Sequence, residues 1–276
     1  MKKPRVILIT GASTGIGRAT AVHFARQGWA VAATMRRPEN PDPALRHPQI
    51  KCYALEVTEA ASVGTAVQQV MADHGRIDAL LNNAGYGLFG PLEALDMAGI
   101  ERQLQTNVYG PIRTMQAVIP IMRAQHSGII LNVSSIGGRM AFPFTGAYHA
   151  TKFALEGLSE AMRFELKAHN IGIKLIEPGG IKTDFNRRSL DFRKHPAYEP
   201  QLGNYEQLLQ DDRYWASPEA VAKVIYRAAT DGSDKLRYPA KPGPFFLLHA
   251  LLPDVIWRAF GHFMLNRNVK VQPSPA

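Results

Sequence analysis

Residues 6–17 read VILITGASTGIG, and this stretch determines the fold that we predict for the whole chain. Its first four residues predict a buried strand, the glycine-rich residues that follow predict a tight loop, and the segment after Gly15 has helical periodicity. At the start of such a helix, free N–H groups and the helix dipole attract anions. The order of strand, loop and helix therefore predicts a dinucleotide-binding βα unit, whereas the glycines alone would equally fit an ordinary turn.

Short aliphatic runs alternate with longer helix-period segments up to residue 180, as in repeated βαβ units. We therefore predict an α/β fold, a doubly wound Rossmann-type parallel sheet of about six or seven strands with helices on both faces, in a single domain. The further predicted strands are residues 30–33, 52–55, 79–81, 129–133 and 173–176, and the predicted helices lie at about 15–27, 60–74, 100–125 and 147–170.

The chain has 276 residues, of which 46% are hydrophobic and 20% are charged, as is typical of a folded domain and not of a disordered chain. We divide it into a cofactor-binding and catalytic core at 1–184, a substrate-binding insertion at 185–215 and an apolar C-terminal tail at 244–276. Two further elements are predicted between the insertion and the tail: a helix capped by Ser217-Pro218-Glu219 and a last strand at 237–238.

The formal net charge of +9 raises the question of an anionic partner. A phosphorylated cofactor is the anionic partner that we expect, because the arginines are scattered and no nucleic-acid-binding motif is present. The single cysteine, Cys52, cannot form an intramolecular disulfide, and the short apolar run after the basic N-terminus does not predict a secretion signal. No spacing of His, Cys, Asp or Glu predicts a metal site. We therefore expect a cytoplasmic protein that binds no metal or nucleic acid.

The end of the second predicted strand, Ala33-Thr34-Met35-Arg36-Arg37, distinguishes the two nicotinamide cofactors. An NAD site usually has an acidic residue here, which accepts hydrogen bonds from the ribose 2′-hydroxyl. Arginine instead forms charge-assisted hydrogen bonds with a 2′-phosphate. We therefore predict NADP in preference to NAD, with Arg36 as the first candidate contact and Arg37 as the second. The alternative is that both arginines are solvated surface residues.

Three polar residues are predicted to meet at the same edge of the sheet. Tyr148 and Lys152 lie four residues apart in a predicted helix and therefore share one face. Ser135 follows the strand at 129–133, and the carboxyl end of a parallel strand opens onto the ligand crevice. The alternative is a surface tyrosine beside a solvated lysine.

This set of side chains is suited to hydride-transfer chemistry. Reduction of a carbonyl leaves an alkoxide that needs a proton, and the reverse reaction needs a base. Tyr148 can fill both roles near neutral pH if its anion is stabilised by roughly 4 kcal/mol, and the Lys152 ammonium and an oxidised nicotinamide ring both act in that direction. Ser135 can donate a hydrogen bond to the substrate oxygen, and Lys152 can also hold the nicotinamide ribose.

Together these features resemble the short-chain dehydrogenase/reductase family. The family's Thr-Gly-x-x-x-Gly-x-Gly loop is matched by residues 10–17, its Asn-Asn-Ala-Gly by 82–85 and its Pro-Gly-x-x-x-Thr by 178–183. Its Ser…Tyr-x-x-x-Lys pattern is matched by Ser135, Tyr148 and Lys152. The resemblance is strong over roughly residues 5–185, and the layout beyond them is similar to members that act on steroids and retinoids.

The resemblance implies further site residues. Asn107 would be a fourth catalytic residue, which positions a water between Lys152 and solvent. Glu56-Val57 stands where the family has the Asp-Val that contacts adenine. Because glutamate is longer, the resemblance implies the adenine contact for the backbone of Glu56 and not for its side chain. The implied cofactor contacts are Gly11, Ser13, Thr14, Gly15, Ile16, Gly17, Arg36, Arg37, Glu56, Val57, Asn83, Ala84, Gly85, Tyr148, Lys152, Pro178, Gly179, Ile181 and Thr183.

The insertion supplies much apolar surface next to the predicted site. An apolar pocket with few polar anchors favours a lipophilic ketone or alcohol over a sugar or a small acid. The alternative is that many of these side chains only pack the insertion. The apolar residues are Phe185, Leu190, Phe192, Tyr198, Leu202, Tyr205, Leu208, Leu209 and Trp215, with Met140, Phe142, Pro143 and Phe144 near the serine.

Two features leave the interpretation open. His149 could line the substrate entrance, although we favour a position on the helix surface. In the tail, an apolar stripe that includes Val255, Ile256, Phe260 and Phe263 is expected to pack against the domain, with a lid or a membrane-surface helix as alternatives. Homodimers or homotetramers paired through the helices at 100–125 and 147–170 are implied by the resemblance.

The sequence thus predicts an NADP-preferring oxidoreductase acting on a carbonyl or secondary alcohol. Two rival functions remain. One is an NADP-binding sensor or scaffold without turnover, and the other is a membrane-surface protein that uses its basic charge and tail.

Overall fold

A computed structural model describes residues 3–182, 190–210, 215–243, 246, 249 and 253–266, and all structural statements concern these residues. The strands are β1 Val6–Ile9, β2 Ala30–Met35, β3 Ile50–Ala54, β4 Ala79–Asn82, β5 Gly87–Phe89, β6 Gly128–Val133, β7 Ile171–Pro178, β8 Leu190–Phe192 and β9 Arg237–Ala240. Seven of them form one parallel sheet in the order β3-β2-β1-β4-β6-β7-β9. The predicted doubly wound fold is confirmed.

Helices cover both faces of this sheet, because its central strands are aliphatic on both sides. The helices are α1 Gly15–Arg26, α2 Ala60–His74, α3 Met97–Leu104, α4 Gly110–Ala124, α5 Gly146–Lys167, α6 Glu199–Gln210, α7 Pro218–Thr230 and α8 Asp254–Asn266. One core layer joins α2, α4 and α5 to the sheet, and the other joins α1 and α7 to its opposite face. The predicted cap of α7 is present, since the Ser217 Oγ accepts a hydrogen bond from the Ala220 N–H at 3.3 Å.

The predicted single helix at 100–125 is wrong in its first residue and in its continuity. The segment begins earlier, at Met97, and a π-helical turn at Gln105–Tyr109 separates α3 from α4. A π turn keeps the handedness and approximate periodicity of a helix, so the apolar pattern continues across it and does not reveal the interruption. The wide turn directs Asn107 into the protein, where its side chain is buried.

The insertion is attached to the core by a second, two-stranded parallel sheet. In this sheet β5 pairs with β8, and Phe89 is aligned with Phe192. After β8 the chain continues into α6, which contacts α8 of the tail. The division of the chain into core, insertion and tail stays a prediction.

The tail helix α8 packs by only one of its sides. Trp257 and Phe260 are partly buried, whereas Val255 and Phe263 are 63% and 66% exposed, and Ile256 is also exposed. The expected packing of the stripe against the domain is therefore wrong for Val255, Ile256 and Phe263, whereas Phe260 is partly buried and the helix contacts α6. In the described part of the chain, no helix is both long enough and apolar enough to cross a bilayer.

Candidate active site

A cleft of about 1360 Å³ opens at the carboxyl ends of the central strands. In an open parallel sheet this edge is where ligands bind, because the connections on either side of β1 turn to opposite faces. The predicted residues that line the cleft are Gly11, Ser13, Thr14, Gly15, Ile16, Arg36, Glu56, Val57, Asn83, Ala84, Gly85, Ser135, Tyr148, Lys152, Pro178, Gly179 and Ile181. The structure therefore brings most of the predicted site together.

The glycine loop packs directly against the loop that follows β4. Gly11 has φ +66°, and a Cβ there would lie 2.9 Å from the Cα of Ala84. The Asn83 Nδ2 donates hydrogen bonds to the carbonyls of Thr10 and Gly11, both at 3.0 Å. The Thr10 Oγ1 accepts from the N–H groups of Asn83 and Ala84 at 2.9 and 3.1 Å. Gly17 lies beneath the loop and not on the cleft surface, because a Cβ there would collide with the Gly11 carbonyl.

The N-terminus of α1 fits a nucleotide phosphate. Thr14 occupies the N-cap position but its side chain makes no capping hydrogen bond, and no acidic residue stands in the first turn. The helix dipole at this end is therefore not offset by a carboxylate of the first turn. Gly15 and Ile16 face the cleft, so a pyrophosphate can approach the backbone N–H groups.

The rim beyond β2 and β3 is suited to the adenosine half of a dinucleotide. Arg36 lines the cleft and is exposed, whereas Arg37 is exposed outside it. The Glu56 Oε1 accepts a hydrogen bond from the Thr58 N–H at 3.0 Å, so this longer acid turns back onto its own loop. Val57 is buried at the base of the same rim. Of the two predicted arginines, Arg36 is the one that lines the cleft.

Ser135, Tyr148 and Lys152 converge at the centre of the cleft. Ser135 lies in extended backbone immediately after β6, and its Oγ accepts from the Gly137 N–H at 3.0 Å. Its hydroxyl proton is therefore free to be donated to a substrate oxygen or to Tyr148. Lys152 is buried, and its Nζ donates to the Val133 carbonyl at 2.9 Å and lies 5.6 Å from the Tyr148 ring centroid.

Burial dominates the ionisation of both groups. It raises the pKa of Tyr148 to about 12, although a hydrogen bond from Ser135 acts in the opposite direction. Burial also lowers the pKa of Lys152 to about 8, and the charge of Glu156 partly opposes this shift. The expected lowering of the Tyr148 pKa depends on Lys152 together with a bound oxidised nicotinamide ring, and it stays a prediction, since burial dominates in the protein alone. Tyr148 is therefore protonated at neutral pH.

Asn107 reaches the catalytic helix from the π turn. Its Nδ2 donates to the Tyr86 carbonyl at 2.8 Å and to the Thr151 Oγ1 at 3.2 Å, and its Oδ1 accepts from the Tyr86 N–H at 3.1 Å. Because these bonds fix Asn107 beside the turn of α5 that carries Lys152, the residue joins the loop after β4 to this helix. Asn107 does not itself line the cleft.

The loop after β7 closes one side of the cleft. Ile181 forms an isolated bridge with Ala216, and the Lys182 N–H donates to the Ala216 carbonyl at 2.8 Å. These bonds hold the chain after Pro178 and Gly179 along the cleft. Thr183 lies outside the described residues.

One wall of the cleft is apolar. Of the residues predicted to form it, Leu190, Tyr205, Leu209, Trp215 and Phe142 line the cleft, whereas Leu202 and Met140 are buried in the packing around it. Phe185 lies outside the described residues. Both interpretations of the insertion therefore apply, each to a different subset of side chains.

One contributor, Phe89, was missed by the sequence analysis, and for a second, His149, the wrong one of two positions was favoured. Phe89 packs edge-on against the Tyr148 ring, with 5.4 Å between the ring centroids, but the three residues of β5 are too few to show periodicity. His149 is 6% exposed and lines the cleft, so its expected position on the helix surface is wrong. The His149 ring is buried because a loop packs against α5. The periodicity of a single helix does not show such a contact.

Comparison with known proteins identifies the family. The model of the short chain dehydrogenase family matches residues 5–194, more than half of the chain. The chain belongs to this family. Its solved members include a short-chain dehydrogenase from Streptomyces avermitilis, which is 32% identical with a TM-score of 0.83 and shares 95% of this chain and 97% of its own. A metagenomic short-chain oxidoreductase in complex with NADP is 28% identical, with a TM-score of 0.69 over 85% of this chain and 96% of that one.

Curated relatives in the family include enzymes named for lipophilic substrates. A 3-ketodihydrosphingosine reductase from Bacteroides thetaiotaomicron is 40% identical over 233 residues, which cover 82% of this chain and 85% of the relative. The 17-beta-hydroxysteroid dehydrogenase type 1 of Mus musculus is 36% identical over 256 residues, which cover 85% and 73% respectively. The chain is thus an oxidoreductase of a family whose members use nicotinamide nucleotides.

Proposed function

We propose that this protein is an NADP-preferring oxidoreductase that transfers a hydride between nicotinamide and the carbonyl or secondary alcohol of a lipophilic molecule. The observation that carries the proposal is the convergence of Ser135, Tyr148 and Lys152 in a cleft with a glycine loop at one end and an apolar wall at the other. When bound, the nucleotide supplies or accepts the hydride, and the protein supplies the proton and the orientation.

Tyr148 acts as the acid during carbonyl reduction. Its hydroxyl proton passes to the substrate oxygen as negative charge develops there, and Ser135 donates a second hydrogen bond to the same oxygen. The raised pKa keeps this proton on Tyr148 at neutral pH, which is the protonation state that carbonyl reduction requires. Lys152 carries the nearby positive charge that stabilises the phenolate formed, and it would hold the nicotinamide ribose. Asn107 acts through Lys152, by positioning a water that leads to solvent.

The preference for NADP rests on Arg36. This arginine follows β2 at the cleft rim, and the strand ends without the carboxylate that would bond a ribose hydroxyl. The NADP-bound relative in the family supports the same cofactor. Gly11 to Ile16 would hold the pyrophosphate, Val57 and the backbone of Glu56 the adenine, and Ile181 with Thr183 the carboxamide.

Replacement of Arg36 by Ala tests the cofactor preference. We expect the Kd for NADPH to rise about tenfold to a hundredfold, since a charge-assisted contact with the phosphate is lost, while the Kd for NADH changes little. Arg37→Ala is the matched control and should leave both constants near the wild-type values. Equal losses for the two nucleotides in Arg36→Ala would contradict the phosphate contact.

A substrate screen tests the reaction and the substrate class. Carbonyls and alcohols are ordered by lipophilicity and assayed with NADPH and NADH, by following nicotinamide absorbance. We expect the highest kcat/KM with bulky apolar ketones and NADPH, because Phe89, Phe142 and Leu190 remove such groups from water. Tight NADPH binding without turnover across the whole panel would instead favour a nucleotide-binding sensor or scaffold.

A peripheral membrane contact is the second candidate activity, and the exposed side of α8 favours it. Val255, Ile256 and Phe263 present apolar surface to solvent, and the protein carries a formal net charge of +9. A lipophilic substrate could then be taken from the bilayer surface by an otherwise cytoplasmic enzyme. Flotation with anionic phosphatidylserine vesicles should recover the wild-type protein, and Phe263→Glu should weaken recovery. Equal recovery of both proteins, or none of the wild type, would exclude the contact.

A further inference from the structure

We propose that His149 is a positioning residue: its neutral imidazole clamps the loop from Gly137 to Phe142 onto α5, which fixes Ser135 and Phe142 against the substrate, and a second proton on the ring opens this clamp. The catalytic part of this inference rests on the proposed function. The clamp itself rests on the hydrogen bonds of one buried ring.

The two ring nitrogens of His149 bond opposite ends of the loop. The Phe142 N–H donates to Nε2 at 2.9 Å, and Nδ1 lies 2.6 Å from the Gly137 carbonyl oxygen. A backbone N–H can only donate, so Nε2 must be unprotonated, and a carbonyl can only accept, so Nδ1 must carry the proton. The geometry therefore requires the neutral Nδ1–H tautomer.

The clamped loop begins at the catalytic serine. The Ser135 Oγ accepts from the Gly137 N–H, and the Gly138 N–H donates to the Ser135 carbonyl at 2.9 Å. A Cβ on Gly137 would lie 2.6 Å from the ring atoms of His149, so backbone and ring are in close contact. A displacement of Gly137 would therefore move the Ser135 hydroxyl away from the substrate oxygen.

The other end of the loop carries an aromatic wall of the cleft. Phe142 stacks at a tilt on the His149 ring, with 5.8 Å between the centroids, and touches Trp257 of α8 edge-on at 6.4 Å. The Thr145 Oγ1 donates to the Phe142 carbonyl at 2.6 Å. Because Phe142 lines the cleft, the clamp sets the width of the substrate site as well as the position of the serine.

A doubly protonated ring does not fit this site. An imidazolium would direct an N–H from Nε2 at the N–H of Phe142, so at least one of the two bonds must break. Burial lowers the pKa of His149, while the Gly137 carbonyl partly opposes this effect. The ring is therefore neutral at neutral pH, and the clamp should open only in acid.

The ionisable groups around the ring do not compensate a positive charge. On α5, Tyr148 contacts the ring with 5.9 Å between centroids, and Lys152 follows one turn later. Tyr205 of α6 faces the same cleft. Each of the two carboxylates near the loop already faces an arginine: Glu156 lies 2.9 Å from Arg237, and Glu177 lies 3.6 Å from Arg139.

The closing experiment measures the tautomer of His149 and the catalytic rate separately. Nitrogen-15 NMR of the imidazole in the full-length protein with NADPH identifies the tautomer and follows it with pH, whether or not a substrate is known. We expect the Nδ1–H form at pH 7.5 and protonation only below the ordinary pKa of histidine. The Nε2–H form, or a charged ring at pH 7.5, would overturn the clamp.

Kinetics with the best ketone of the screen then test the effect on Ser135. In His149→Phe, which keeps a ring and removes both bonds, kcat should fall about tenfold or more while the Kd for NADPH is unchanged. Because the clamp should open in acid, wild-type kcat should decline as the pH is lowered. His149→Gln, whose amide can donate and accept, should restore most of kcat and remove this acid decline. His169→Phe, a histidine beyond the end of α5, is the control and should retain the wild-type profile.

These outcomes separate the two proposals. A wild-type protein that reduces no compound of the panel contradicts the proposed function, while the NMR tautomer still decides the clamp. Wild-type kcat and the wild-type acid profile in His149→Phe contradict the positioning role. If His149→Phe fails to fold, the loss of the acid decline in His149→Gln decides the same point, since a purely structural residue would leave that decline in place.

Discussion

At the scale of single residues, burial is the effect that decides the chemistry of the cleft. It keeps Tyr148 protonated, and it lowers the pKa of Lys152, so the Lys152 ammonium loses its proton more readily than a solvated lysine does. A sequence shows which ionisable residues share a helix face but not how much water surrounds them. This is why the spacing predicted the pair Tyr148 and Lys152 but not the upward shift that burial gives the Tyr148 pKa in the protein alone.

Glu177 provides a residue-scale prediction for stability. Its carboxylate is completely buried at the end of β7, and burial with the nearby Glu156 raises its pKa to about 7. Since the pKa in the folded state exceeds the unfolded value, folding favours the protonated form, and stability is lost as the pH rises through about 7. We expect the free energy of unfolding to fall by roughly 1–3 kcal/mol between pH 5 and pH 8 from this residue.

Glu177→Gln should remove that part of the pH dependence, as measured by urea unfolding at each pH. Glu160→Gln is the control, because Glu160 is exposed and hydrogen bonding to Arg237 lowers its pKa, so it stays charged across this range. The interpretation is contradicted if Glu177→Gln keeps the wild-type slope.

At the scale of elements, a buried polar network connects the strands and helices beneath the catalytic residues. The Asn132 Nδ2 on β6 donates to the Ser159 Oγ of α5 at 2.8 Å, and the Asn132 Oδ1 accepts from the Asn82 Nδ2 of β4 at 2.9 Å. The Thr114 Oγ1 of α4 donates to the Asn82 Oδ1 at 2.6 Å. This network sets the depth at which α5 packs on the sheet.

Asn132→Ala should therefore destabilise the protein more than loss of one side chain suggests. Asn82 and Ser159 would each lose a buried partner, and we expect the free energy of unfolding to fall by about 2–4 kcal/mol in chemical denaturation. Gln69→Ala, on the exposed side of α2, should change it by less than about 0.5 kcal/mol. A loss below about 1 kcal/mol in Asn132→Ala would show that the network is not needed to seat α5.

The elements that the sequence predicted are those with repeated periodicity. The central strands, α1, α2 and α5 were close to their predicted bounds because each buries a continuous apolar face. The π turn at Gln105–Tyr109 and the three-residue strands β5 and β8 were missed, because their conformations depend on contacts with distant parts of the chain. For the same reason the sequence did not reveal Phe89 or the burial of His149.

At the scale of the whole molecule, several exposed aromatic side chains lie on or beside two of the helices. Phe153 and Phe164 of α5 are 48% and 75% exposed, and their spacing of eleven residues puts them on one face of the helix. Tyr109, beside α4, is also exposed. These are the helices through which family resemblance implies that two or four copies pair.

Phe164→Glu should therefore shift the protein towards monomer in sedimentation equilibrium, because a carboxylate would be buried at the contact. Phe263→Glu, an equivalent change on α8, should leave the assembly unchanged. A monomeric wild-type protein, or an unchanged oligomer in Phe164→Glu, would contradict pairing through this face.

The whole molecule thus brings a glycine-rich loop, a buried tyrosine and an apolar wall together at one edge of one sheet. The most direct test is Tyr148→Phe, measured as NADPH binding by fluorescence and as single-turnover reduction of the best ketone. We expect an unchanged Kd for NADPH and a rate lower by about two to four orders of magnitude, since the substrate oxygen loses its proton donor. Near-wild-type reduction by Tyr148→Phe would contradict the proposed mechanism.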